Sequence, residues 1–136
     1  MTSKMLCAVD GSGHSKRAVE YAAGMSKKIG ADLTFLAVIP VSLGRGVKKL
    51  LWTEGEARKV LQSAEKLARK AGAKQIDTME ATARDVASAI ITVAEEKGYD
   101  HIIVGSGGKT VVQRLMIGSV SAAVVNKSHC PVTVVH

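Results

Sequence analysis

Two kinds of hydrophobic pattern alternate along this chain. Met5-Leu-Cys-Ala-Val9 is a continuous apolar run closed by Asp10-Gly-Ser-Gly13, which predicts a buried strand entering a tight turn. Behind it Ala18, Ala22, Met25 and Ile29 recur at helical spacing, with Ser15 as the expected N-cap and Gly30 as the stop. Leu33 to Ile39 is a second apolar run, expected to end at Pro40. Val41 to Trp52 has no period, contains Gly44 and Gly46, and reads as a mobile loop. From Glu54 to Ala71 the helical period returns through Ala57, Val60, Leu61, Ala64, Leu67 and Ala68, and Gly72 ends it. Gln75 to Ala81 is a weaker strand, with Ile76, Thr78 and Glu80 alternating against Asp77, Met79 and Ala81. Asp85 is placed to cap a third helix that buries Val86, Ala89, Ile90, Val93 and Ala94 and closes at Gly98. His101-Ile-Ile-Val104 is the fourth strand and leads into Gly105-Ser-Gly-Gly108. A last helix is expected from Gly118-Ser119, and Pro131-Val-Thr-Val-Val135 is the final strand.

Strands alternate with helices, and most of the strands are apolar runs instead of strict alternations. That combination predicts an α/β fold: an open, doubly wound parallel sheet of five strands covered by helices on both faces. No repeat, low-complexity tract or linker interrupts it, so residues 1–136 read as a single domain. Ligands of such folds sit beyond the carboxyl ends of the strands, where the strand order reverses.

Composition narrows the choice of ligand. Hydrophobic residues are 46% and charged residues 23% of the chain, ordinary globular values. Nineteen Lys and Arg against 12 Asp and Glu give a net charge of +7, which favours anionic partners. Aromatic residues are only 3%, too few for the stacking platforms of single-strand nucleic-acid binding, so nucleic acid is not the expected partner. No apolar run approaches the ~20 residues that span a bilayer, and the first ten residues lack the build of a signal peptide. Cys7 and Cys130 are far apart without metal-ligand spacing, and the expectation is two free thiols in the cytoplasm.

Asp10–Gly13 and Gly105–Ser119 are the segments that a carboxyl-end site would use. Gly108-Lys109-Thr110 has the tail of a Walker A loop, but position 103, where that motif needs glycine, is Ile103. The dinucleotide fingerprint G-x-G-x-x-G fails too, because its third glycine would fall on Thr110 or on Lys16. What does match is Gly105, two residues, Gly108, nine residues, then Gly118-Ser119. Glycines after a strand let backbone N–H groups approach a phosphate. Ser119 at the return of the excursion is placed to cap a helix whose N-terminus attracts the same phosphates, with Lys109 and Arg114 within reach.

The G-x2-G-x9-G-[ST] spacing resembles that of the universal stress proteins of the nucleotide-binding type. Val9-Asp10-Gly-Ser with Ser15 and Ala18, Leu33 to Val38, Asp100 to Ser106, Ile117 to Val120 and Cys130 to Val135 extend the resemblance over nearly the whole chain. It implies a Rossmann-like strand order of 3-2-1-4-5 and a stress-associated regulatory protein that binds ATP or a related adenine nucleotide. It implies that Asp10 and the Val38 backbone hold the adenine and ribose end. Gly105 would lie near the ribose, with Gly108, Lys109, Gly118 and Ser119 at the phosphates. A magnesium ion would arrive with the phosphates, and a homodimer would pair through the last strand and show a ligand-dependent surface to a protein partner. Two features depart from the family pattern. Arg84-Asp85-Val86 stands where Gly-Asp-Pro is common, and the segment after the second strand is short.

No residue pattern supplies a poised acid, base or nucleophile, and none of His14, His101, His129 or His136 has metal-like spacing, so neither catalytic nor metal-ligating residues are expected. Hydrolysis, where it occurs, would be slow and rest on positioning. The competing reading is a protein-interaction module of the same fold with no nucleotide. A phosphoacceptor domain is disfavoured, because Asp10 has no acidic neighbour and the third strand leads into Ala81-Thr-Ala.

Overall fold

The computed structural model describes residues 3–44, 47–50, 52–107 and 118–136. In chain order the elements are β1 (Lys4–Ala8), α1 (Gly13–Ile29), β2 (Asp32–Gly44), β3 (Val47–Leu50), α2 (Glu54–Lys70), β4 (Ile76–Ala83), α3 (Val86–Glu96), β5 (His101–Gly105), α4 (Ser119–Lys127) and β6 (Val132–Val135). The parallel strands lie in the order β4-β2-β1-β5-β6, with β3 antiparallel on the far end of β2. Leaving β3 aside, this is the five-stranded 3-2-1-4-5 sheet.

Alternation of side chains explains why the inner strands read as unbroken apolar runs. Met5, Cys7, Leu33, Phe35, Ala37, Ile39 and Ile103 point to the face covered by α1 and α2. Leu6, Leu36, Val38, Ile102 and Val104 point to the face covered by α3 and α4. Each face demands apolar side chains, and the polar Thr34 within the β2 run is buried with its Oγ1 accepting from the Tyr99 hydroxyl at 2.8 Å. Near-complete burial pushes the Cys7 thiol well above its ordinary range, as befits a packing residue. Both cysteines are free.

Three expectations need correction. Ser12, not Ser15, is the N-cap of α1: its side chain accepts from Ser15 N–H, and the Ser15 hydroxyl accepts from Asp10 N–H at 3.1 Å. The second strand does not stop at Pro40, and part of the expected loop is a hairpin. β2 continues to Gly44 and pairs with β3, Val41 opposite Leu50. Pro40 is tolerated because the inner neighbour β1 has already ended at Ala8, so the missing N–H has no ladder bond to lose. On β4 the expected alternation is present: Thr78 and Glu80 are exposed while Met79, Ala81 and Ala83 are half-buried and pack toward α3.

Candidate functional site

β1 lies between β2 and β5, and the order of strands reverses there: β1 feeds α1 on one face, β5 leads toward α4 on the other. The gap beyond their carboxyl ends is a crevice of about 690 Å³, mid-range for a small-molecule site. Val38, Pro40, Val86 and Ile90 make one end apolar. Asp10, Ser12, His14, Gly105, Gly107, Gly118 and Ser119 make the other end polar and rich in backbone.

Each polar position has a local cause. Asp10 Oδ1 accepts from Ser12 N–H at 2.9 Å, so the carboxylate shapes the β1–α1 turn while facing the crevice. Gly11 closes that turn at φ +83°. The N-terminus of α1 opens here, and so does that of α4, whose N-cap is Gly118. Ser119 is the first helical residue, one past the cap, which corrects the expectation that it caps the helix. The N-termini of two helices therefore face one cavity, a setting that favours anions.

The glycines are fixed by the protein's own packing as well. A Cβ on Gly105 would lie 2.8 Å from the His14 backbone, and one on Gly118 would lie 2.9 Å from the Ser106 carbonyl oxygen. Gly118 N–H donates to that same oxygen at 2.7 Å, and Ser121 Oγ donates to the Gly105 carbonyl at 2.6 Å. The Ser106 hydroxyl meets His14 Nδ1 at 3.2 Å. Ser106 is wholly buried, so it tethers the imidazole and is not a nucleophile open to a substrate.

The sequence model of the universal stress protein family matches residues 1–136. The chain belongs to this family. It is 34% identical to the universal stress protein YxiE of Bacillus subtilis over 149 residues, covering 99% of both chains. It is 32% identical to the universal stress protein MJ0531 of Methanocaldococcus jannaschii over 142 residues, covering 97% of this chain and 81% of that one. Among solved structures, a universal stress protein in complex with cAMP superposes with a TM-score of 0.78 at 27% identity, covering 99% of this chain and 97% of that one.

Of the positions singled out from sequence, this universal stress protein brings Asp10, Val38, Gly105, Gly118 and Ser119 to one crevice. Gly108, Lys109 and Arg114 lie outside the described residues. Arg84 is exposed and is not among the lining residues. The sequence reading passed over His14, Ser106, Ser121 and Gly107, the last at φ +75°. His14 and Ser106 are 92 residues apart, and no local pattern links them. Among the described residues no group of three or more His, Cys, Asp or Glu could hold a metal ion. Asp10 is the one carboxylate among the described lining residues. No helix among the described residues is long and apolar enough to cross a membrane.

Proposed function

We propose that this universal stress protein binds ATP or a related adenine nucleotide in the crevice between β1 and β5. The base lies at the apolar Val38 end, the ribose beside Asp10 and Gly105, and the phosphates against Gly107, Gly118 and Ser119, with Gly108 and Lys109 completing the phosphate end. The observation that carries this reading is the convergence of two helix N-termini on a cavity whose opposite end is apolar. A nucleotide has that same division: an apolar face at one end and concentrated negative charge at the other. The structural relative in complex with cAMP supports an adenine nucleotide as the ligand class.

Magnesium fits only as a companion of the phosphates. One carboxylate, Asp10, is too few for a protein cage, and Mg²⁺ characteristically binds through one or two carboxylates plus phosphate oxygens. Asp10 orients the turn and accepts from the ribose; the helix starts hold the phosphates; no group among the described lining residues is arranged to activate water. Turnover of ATP is therefore slow, well under the ~10 s⁻¹ typical of enzymes. The role is regulatory, in a cytoplasmic stress response: occupancy changes the surface offered to a protein partner. The chain acts as one domain and pairs with a second copy through the open edge of β6.

Isothermal titration with ATP and magnesium tests the reading. The expected result is saturation at about one nucleotide per chain. A flat titration on folded, nucleotide-stripped protein overturns it and leaves the nucleotide-free interaction module.

A further inference from the structure

Val9 N–H donates to the Leu36 carbonyl at 2.8 Å, so that carbonyl points toward β1. Peptide groups two residues apart on a strand point the same way. Val38 therefore aims its carbonyl toward the β1 side as well, but β1 has ended at Ala8 and the chain turns away at Asp10. An acceptor that would otherwise belong to the sheet is left at the rim of the crevice. It is taken by the indole of Trp52, whose Nε1–H donates to it at 3.2 Å. Trp52 is the single tryptophan of the chain. Its half-buried ring packs against the core on the α1–α2 face, and the next residue, Thr53, is the N-cap of α2.

We propose that Trp52 is a specificity-determining residue of the base end, because its indole N–H competes with the amino group of a 6-aminopurine for the Val38 carbonyl. This rests on the reading that the base lies at Val38. The Trp52 bond is long for N–H···O, and the rest of the ring is held by non-directional packing, so it yields to a better-placed donor. Two donors on one carbonyl oxygen also bring their positive hydrogens together. A 6-oxopurine has an acceptor at the corresponding position. It offers no donor from that position, its N1–H lying on the neighbouring ring atom, and leaves Trp52 where it is.

Two measurements on the whole chain test this. First, ATP should change the emission of Trp52, and inosine triphosphate at equal occupancy should not. Second, Trp52→Phe keeps an aromatic ring in the core and deletes the N–H. ATP affinity should then rise about fivefold, the worth of one neutral hydrogen bond, while inosine triphosphate affinity stays unchanged. If ATP binds the wild-type chain but leaves its emission unchanged, the proposal falls and the nucleotide reading stands. The same holds if Trp52→Phe alters both affinities equally or weakens ATP. If ATP does not bind the wild-type chain at all, the nucleotide reading fails first and takes this proposal with it. The emission test needs no variant, so a destabilised Trp52→Phe does not block it.

Discussion

Gly118 and Ser119 are adjacent, yet substitutions at the two separate cleanly by what each atom touches. A Cβ at Gly118 collides with the Ser106 carbonyl oxygen, which is backbone and cannot rotate away. Gly118→Val should thus destabilise the chain by about 1–3 kcal/mol through overpacking, in addition to weakening ATP. Thermal denaturation of the ligand-free variant reads the first effect and titration the second. Ser119 is not the cap residue, so Ser119→Ala should leave stability within about 0.5 kcal/mol of wild type. It should weaken ATP by one phosphate hydrogen bond and leave adenosine unaffected; equal weakening of both ligands would remove Ser119 from the phosphate end. The spacing of glycines put Gly105 at the end of a strand and Gly118 at the start of a helix, because a strand-turn-helix junction needs them at fixed offsets. It was silent on what lies across from them. The His14 backbone behind Gly105 and the Ser106 carbonyl behind Gly118 are products of tertiary packing, with no trace in a local pattern.

Among elements, α3 was the most legible and β2 the least. Asp85 both stops the preceding strand and accepts from Ser88 N–H at 3.0 Å, so one residue announces the helix start. That backbone hydrogen bond outweighs burial and holds the carboxyl below its ordinary range. Asp85→Ala should lower stability, read as a lower urea midpoint at unchanged slope. Asp85→Ser should recover most of the loss. β2 misled for a physical reason. Proline forbids a ladder bond only where a partner strand is present, and the sequence cannot say that β1 stops short of Pro40. Ser12 and Ser15 misled differently: both are good caps, and the chain uses one as cap and the other to hold Asp10 N–H.

At the scale of the molecule, the start of β5 is where acid should act, through Asp100 and His101. Asp100 accepts from Ser3 N–H, Ser3 Oγ and Lys4 N–H, tying the start of β1 to the start of β5. Burial raises the carboxyl, but those bonds outweigh it and hold it below the usual range. His101 shares its Nε2 with Thr133 Oγ1 at 2.7 Å on β6. Burial depresses its pKa, and the neighbouring Asp100 only partly opposes this. Both groups bind protons more readily in the unfolded chain, so stability rises with pH through their windows. The His101 contribution is complete above about 6.5 and is lost as pH falls through its lower folded value; the Asp100 contribution goes at lower pH still. Thermal midpoints should fall on acidification below neutrality, and His101→Gln should flatten the first part of that fall. An unchanged slope would place the sensitivity elsewhere. The β6 edge belongs to the same region, paired to β5 on one side only among the described strands. Sedimentation equilibrium should return twice the 14.3 kDa chain mass if a second copy covers that edge.

At its polar end the crevice draws one wall from β1 and the start of α1 and the other from β5 and the start of α4, so these two walls are separated by more than half the length of the chain. During synthesis the first wall exists long before the second. A ligand cannot guide the early steps, because the closing contact of Gly118 N–H with Ser106 must wait for the last fifth of the polypeptide. Parallel pairing of strands so distant in sequence is slow in any case. Binding of the proposed nucleotide would then act as a proofreader of finished chains. It would protect only those molecules that have brought both walls together, by an amount that grows with the logarithm of ligand concentration, and leave truncated or half-folded copies exposed to proteolysis.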